Sequence, residues 1–195
     1  MLRVILIILW VGVITESSAA ETPAVLHDQG RLAFQRHDMQ GAMDLFEQAA
    51  TLGHSPSQVQ LGWILDSIGE HQKAFVLYQQ AAESNNAEGQ YFVGEKFVAG
   101  EGVEKNDTEA IKWITKAAES GHASAIRRLV IAHENGTLGL PQDATLATQW
   151  LQRGTAQNDV WSIKRLAKAY RNGELGFSVD EAKSAQLESL LEQSQ

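Results

Sequence analysis

The stretch AIKWITKAAESGHASA at residues 110–125 recurs along the chain. AMDLFEQAATLGHSPS (42–57) and AFVLYQQAAESNNAEG (74–89) have the same shape, and ATQWLQRGTAQNDVWS (147–162) follows it more loosely. The leading alanines are Ala42, Ala74, Ala110 and Ala147, spaced by 32, 36 and 37 residues. Four residues after each stands a large apolar side chain, Phe46, Tyr78, Ile114 or Leu151. A period of this length dictates the kind of fold. Each copy is one supersecondary unit too small to bury its apolar face alone, so the copies must stack.

Each copy is preceded by a second helical pattern, LHDQGRLAFQRHD (26–38), VQLGWILDSIGEH (59–71), GQYFVGEKFVAGE (89–101) and AIRRLVIAHENGT (125–137), which recurs a fifth time after the last copy as SIKRLAKAYRNGE (162–174). A small residue recurs mid-helix, as Gly30, Gly62 and Gly94, and Val130 and Ala167 take the matching places later. Gly inside a helix costs about 1 kcal/mol relative to Ala, so keeping it three times in one register implies a close helix–helix contact. Thr22-Pro23 and Ser55-Pro56 read as a cap residue before a proline at the first helical position. Asn106 with Glu109, and Ser178 with Glu181, have capping-box spacing. Alternating Val, Ile and Thr runs typical of strands are not visible.

Two glycine-rich stretches, NGTLGLPQD (135–143) and NGELGFSVD (172–180), lie at an offset of 37, with a shorter cousin AGEGVEKND at 99–107. A phosphate loop would need a strand before it and the spacing G-x-x-x-x-G-K-[ST] or G-x-G-x-x-G. A helical pattern precedes each stretch instead, and Gly136 and Gly173 fall where a left-handed C-cap would end that helix. The stretches read as turns between helices.

The units resemble the tetratricopeptide superfamily, and the third to fifth are similar to its Sel1-like repeat branch. The similarity is clearest in AEGQYFVGEKFVAGEGVEKNDTEAIKWITKAAESGHASA (87–125). The next units keep Ala125, Leu129, Gly136, Gly139, Asp143, Ala147 and Trp150, then Leu166, Tyr170, Gly173, Gly176 and Asp180. The first two units lack the longer inter-helix loop and read as ordinary tetratricopeptide repeats. The resemblance implies an all-α, right-handed α-solenoid of about five helix–turn–helix repeats filling residues 21–195. It also implies a surface for binding rather than a catalytic centre.

Residues 1–20 differ from the rest. Arg3 precedes an apolar run from Val4 to Ile14, and Ser18 and Ala20 supply small residues before Glu21. This is the layout of a secretory signal peptide, cut after Ala20. Eleven apolar residues fall short of the roughly 20 of a membrane span, so no transmembrane span is expected in the mature chain. The expected location is the periplasm of a bacterium, or the extracellular medium. The chain carries a net charge of −8, and loss of Arg3 and Glu16 leaves it unchanged. An acidic chain without a basic run is a poor partner for nucleic acid.

The residue inventory narrows the chemistry. Cysteine is absent, which excludes disulfides, zinc thiolates and thiol nucleophiles. None of the six histidines has the i, i+4 spacing of a helical zinc pair. His54 and His122 occupy the family's Gly-His slot, His133 stands at the family's Tyr position, and His27 is placed where it can face the groove. No G-x-S-x-G or S-x-x-K is present, and nothing in the sequence joins Ser, His and Asp into a triad. No cofactor, metal or catalytic residue is expected. Some secreted Sel1-like proteins are linked to β-lactam binding or hydrolysis, and the resemblance makes a cell-envelope enzyme or polysaccharide-binding module the alternative reading. Those relatives depend on paired cysteines, which this chain lacks.

In such solenoids the first helix of each pair lines the concave face. Mapped from the small mid-helix residue, the binding candidates are Arg31, Phe34, Trp63, Tyr91, Arg127, Lys164, Lys168 and Arg171. Phe34, Trp63 and Tyr91 form an aromatic run of the type that supplies binding hot spots, or else core. Lys164, Lys168 and Arg171 form a basic stripe at one-turn spacing, or else a solvated face. The expected partner is a protein or peptide, with a cell-envelope glycan as the other candidate.

Overall fold

The computed structural model describes residues 21–192, so the leader assigned to residues 1–20 lies outside the described residues. Among them are ten α-helices and no strand. They form five hairpins: α1 (Pro23–Gln35) with α2 (Met39–Thr51), α3 (Ser55–Ser67) with α4 (His71–Glu83), α5 (Ala87–Ala99) with α6 (Asp107–Glu119), α7 (Ala123–Asn135) with α8 (Ala144–Ala156), and α9 (Val160–Asn172) with α10 (Glu181–Glu192). Each helix packs on its neighbours in the chain, giving an all-α solenoid. No helix among the described residues is long and apolar enough to cross a membrane.

The mid-helix glycines are where the hairpins close. A Cβ on Gly30 would stand 2.7 Å from Phe46 Cε1, one on Gly62 would be 2.8 Å from Tyr78 Cε1, and one on Gly94 would be 2.5 Å from Ile114 Cγ1. The large residue of each second helix therefore sits directly on the backbone of the first. Val130 and Ala167 are fully buried at the matching positions, so the last two hairpins admit a side chain there. The alanines of the second helices serve both joints: Ala110 backs the contact at Gly94, its carbonyl oxygen 3.1 Å from where a Cβ would stand, and Ala81 meets the next hairpin. Ala42, Ala49, Ala74, Ala81, Ala110, Ala117 and Ala147 have no exposed surface. A Cβ on Gly89 would lie 2.7 Å from that of Ala81. Larger residues in this row would push the following hairpin away.

Helix starts follow the sequence in part. Thr22 Oγ1 accepts the Val25 N–H at 3.4 Å, and Asn106 Oδ1 accepts that of Glu109 at 3.1 Å. Two starts differ. α3 begins at Ser55 with His54 in the cap position, which moves Pro56 to the second helical residue. α10 is opened by Asp180, whose carboxylate accepts the Lys183 N–H at 2.9 Å, rather than by Ser178. A carboxylate is favoured at the positive end of the helix dipole, and Phe177–Val179 stay outside the helix.

The glycine-rich stretches are turns. Gly100, Gly136 and Gly173 take left-handed conformations and return their N–H groups to Lys96, Ala132 and Ala169. The residue before each second helix then bonds back to the end of the first: Asn106 to Phe97 at 2.9 Å, Asp143 to His133 at 2.9 Å and Asp180 to Tyr170 at 2.8 Å. Between these points Leu138 and Leu175 dip into the core of the third to fifth hairpins.

The joint at Gly62 is open to test. Replacement by Ala would gain about 1 kcal/mol of helix propensity but drive a methyl into the Tyr78 ring, an overpacking cost of about 1–3 kcal/mol. Gly62→Ala is expected to lower the midpoint of urea unfolding, whereas at a surface site the same change would raise it.

Candidate interaction surface

Among non-consecutive helices the most extensive approach is between α3 and α5, both first helices of their hairpins. The first helices of successive hairpins stand side by side on one face of the stack, its inner face. Their side chains meet across the repeats in two ways, as aromatic contacts and as ion pairs.

At the N-terminal end, Phe34 of α1 sets its ring edge against Trp63 of α3, with centroids 5.9 Å apart and planes at 72°. Trp63 remains 46% exposed. Arg31, exposed, lines a small cleft of about 110 Å³ together with Phe34, Gln35, Phe46 and Gln60. These three sequence-mapped residues therefore form one patch. Tyr91 stands apart from it. Its ring stacks on His122 at 4.7 Å, it packs against the core of the third to fifth hairpins, and burial raises its phenol pKa.

At the C-terminal end, Arg127 of α7 lays its guanidinium 5.0 Å from the centroid of the Trp161 ring on α9. Lys164 and Lys168 are exposed on α9. Lys168 Nζ is 3.9 Å from Glu174. Arg171 pairs with Glu188 of α10, which fixes it to the end of the solenoid.

The middle of the surface is an ion-pair ladder. Lys96 Nζ lies 2.5 Å from Asp66, Arg128 Nε 3.0 Å from Glu95, and an Arg165 guanidinium nitrogen 2.6 Å from Glu134. Each pair joins consecutive first helices. Sequence reasoning did not pair these residues. The signal was present: acid and base are separated by 30, 33 and 31 residues, close to the repeat length.

The first rung is the most buried. The Lys96 side chain is only 6% exposed, and its ammonium also reaches Glu101 at 2.7 Å, while His71 Nδ1 lies 2.6 Å from Asp66. Asp66, His71 and Glu101 are close enough to share a metal ion, but Lys96 already supplies the cation between the two carboxylates. Burial would raise the Asp66 carboxyl, yet the Lys96 and His71 hydrogen bonds outweigh it and hold it below the usual carboxylate range. Burial likewise opposes the Lys96 charge, and the two acids hold it above the usual lysine range.

The histidines belong to the framework. His27 lies between hairpins rather than on the open face: His27 Nδ1 and His54 Nδ1 are each 2.9 Å from Ser57 Oγ, and the two rings are 5.0 Å apart. Ser57 is fully buried, and neither ring bonds to a carboxylate among the described residues, so the trio is a strut rather than a nucleophile and its base. His133 is buried as a packing residue. His122 caps α7 by accepting the Ala125 N–H on Nδ1 at 3.2 Å.

A larger cleft of about 580 Å³ opens between α2, α3 and α4, over Leu61, Leu65 and Leu77. None of the sequence-mapped residues lines it.

The helical hairpins, small-residue joints and open inner face define a repeat scaffold. Family comparison makes this specific: the Sel1 repeat model matches residues 24–54, 56–86, 87–122 and 123–159, and the chain belongs to that family. The first two units are thus Sel1 repeats as well, although their turns are the short ones that read from sequence as plain tetratricopeptide repeats. The matched spans stop before α9 and α10, the most drifted hairpin.

A curated relative is the ERAD-associated E3 ubiquitin-protein ligase component HRD3A of Arabidopsis thaliana, 28% identical over 127 residues, covering 57% of this chain and 19% of that protein. Among solved structures, the c5321 protective antigen of uropathogenic Escherichia coli, which displays an SLR fold, aligns with a TM-score of 0.73 and 29% identity over 88% of this chain and 38% of that one. A Sel1 repeat protein from Oxalobacter formigenes aligns with a TM-score of 0.75 and 22% identity, covering 86% and 70%. The chain spans less than a third of the length of the curated relatives it matches.

Two outcomes follow for the surface. Removing the Lys96 ammonium leaves Asp66 with His71 as its remaining partner. Lys96→Ala is expected to destabilise the chain by about 2–3 kcal/mol in urea unfolding, below the ~3–5 kcal/mol of a fully enclosed pair because Glu101 stays half exposed. The second concerns acid. Burial lowers the His122 pKa from the ordinary 6.5, and His27 is lowered by burial and by His54. Below 6.5 the unfolded chain takes up protons before the folded one does, so stability falls as pH drops through the window between the two values. His122→Asn, which keeps a cap acceptor, is expected to flatten that fall in melting curves taken between about pH 7 and pH 5.

Proposed function

We propose that the chain is a non-catalytic scaffold of the cell envelope or extracellular space, exported by its leader, which holds a protein or peptide along the inner face of the solenoid. The observation that carries this reading is the Phe34–Trp63 pair. A large aromatic left nearly half exposed, braced by a second ring and flanked by a free cleft, has the composition of a binding hot spot. The relatives support it from another side. HRD3A is by name a component of an E3 ubiquitin-protein ligase, so it works among other proteins. Sel1 repeats, like other stacked helical hairpins, present a long surface suited to an extended partner.

The test uses the mature chain as bait in envelope extract of the source cells, with the Phe34→Ala/Trp63→Ala double variant beside it. The wild type is expected to capture a defined protein set, and a folded double variant to lose it by about tenfold or more. Unchanged capture by the variant would refute the assignment of the face. Binding of peptidoglycan fragments, or turnover of a β-lactam, without protein capture would move the reading to the glycan-binding or enzymatic alternative. Cell fractionation and N-terminal sequencing test the export: a mature chain starting at Glu21 is expected, and a chain retaining Met1 in the cytoplasm would overturn it.

A further inference from the structure

Charge is segregated along the solenoid. Residues 123–172, spanning α7 to α9, hold seven basic and three acidic residues, whereas the rest of the described chain holds eight basic and twenty acidic. A net charge of +4 thus lies between two acidic regions. Three of the seven cations are compensated in place: Arg128 by Glu95, Arg165 by Glu134 and Glu174, and Arg171 by Glu188. Arg153 lies apart on α8 over Trp150. Arg127 and Lys164 have no acidic partner among the described residues. Lys168 has only Glu174 at 3.9 Å, and that carboxylate is already held by Asn172 and Arg165.

These cations share one face. Trp161, Lys164 and Lys168 are spaced i, i+3 and i+7 along α9, which places them in one row. Arg127 joins the row from α7 through its contact with the Trp161 ring. We infer that this face is a docking site for a short acidic peptide segment in extended conformation. The inference rests on the scaffold reading above and names the chemistry of the partner at one end of the surface.

Three features favour that occupant. Uncompensated cations attract carboxylates, and the Trp161 ring holds the Arg127 guanidinium in place beside the lysines. Alternate side chains of an extended peptide are about 6.6 Å apart, close to the ~6 Å rise between Lys164 and Lys168. The acidic regions on either side repel a long polyanion, so the site suits a brief run of acid rather than nucleic acid or a charged polysaccharide.

The probe is a fluorescein-labelled peptide of alternating glutamate and alanine with one central leucine, followed by polarisation against the mature chain. Its glutamine counterpart and oligogalacturonate are the comparisons. Binding of the glutamate peptide is expected, weakening as salt rises from about 0.05 M to about 0.5 M, with the glutamine peptide about tenfold weaker or more. Lys164→Glu/Lys168→Glu is expected to lose about tenfold or more in affinity while keeping its helicity and melting temperature. Both side chains are exposed, and Arg127→Gln serves as a milder second variant that lowers affinity without reversing charge. Absence of binding, equal binding of the glutamine peptide, preference for oligogalacturonate, or unchanged affinity of both variants would each overturn the inference. Failure here with protein capture still lost in the Phe34→Ala/Trp63→Ala variant would leave the scaffold reading standing, so the two are separable.

Discussion

The structure depends on how closely the two helices of a hairpin approach. At the first three hairpins a ring or branched side chain from the second helix rests on a glycine of the first, in a space where no Cβ fits. That contact brings the backbones together, with Ala110 beside it at Gly94, and leaves Ala81 to meet Gly89 of the next hairpin. The joint is strong enough to carry a defect. The Tyr78 hydroxyl is buried without a hydrogen-bond partner among the described residues, which costs about 1–3 kcal/mol. Its ring compensates, lying over Gly62 and stacked on Phe92 at 4.6 Å.

With the hairpins closed, the inner face is set by the spacing of the first helices. The rungs Asp66–Lys96, Glu95–Arg128 and Glu134–Arg165 bridge successive hairpins. Their surroundings differ. Burial raises the Glu95 carboxyl, and Arg128 only partly offsets it, whereas Asp66 is held low by its partners. The rungs consume most of the charge in the middle of the surface. What stays available lies at the ends, aromatic toward α1 and α3, cationic toward α7 and α9.

The architecture was legible because repetition reports the same structural demand several times. Gly30, Gly62 and Gly94 in one register announced a close contact, and the interval between NGTLGLPQD and NGELGFSVD announced a turn, before any atom was placed. The N-caps were less legible: Ser55 and Ser178 have the right chemistry, yet His54 and Asp180 stand at the helix starts. Local composition does not say which of several capable residues a helix begins at. Of the surface residues, Phe34 and Trp63 could be paired only by folding, since the ladder of contacts between hairpins fixes which rings meet. Tyr91 looked like the third member of an aromatic run. Its helix turns it toward His122, a neighbour supplied by the following repeat and invisible to a reading of one helix at a time.

A repeat stack has few contacts between distant parts, so its two ends communicate only through the hairpins between them. The aromatic patch and the cationic face are separated by α5 and its rungs to either side. The Lys96 and Arg128 rungs are therefore the polar links between the two ends. This gives the buried Lys96 network a meaning beyond its contribution to stability. A lysine enclosed by two carboxylates has a narrower choice of geometry than an apolar joint of the same size, because each hydrogen bond has a direction. Ionic rungs on the inner side and alanine on the other divide the work. Small residues let the hairpins approach, and the rungs tie each first helix to the next from α3 to α9.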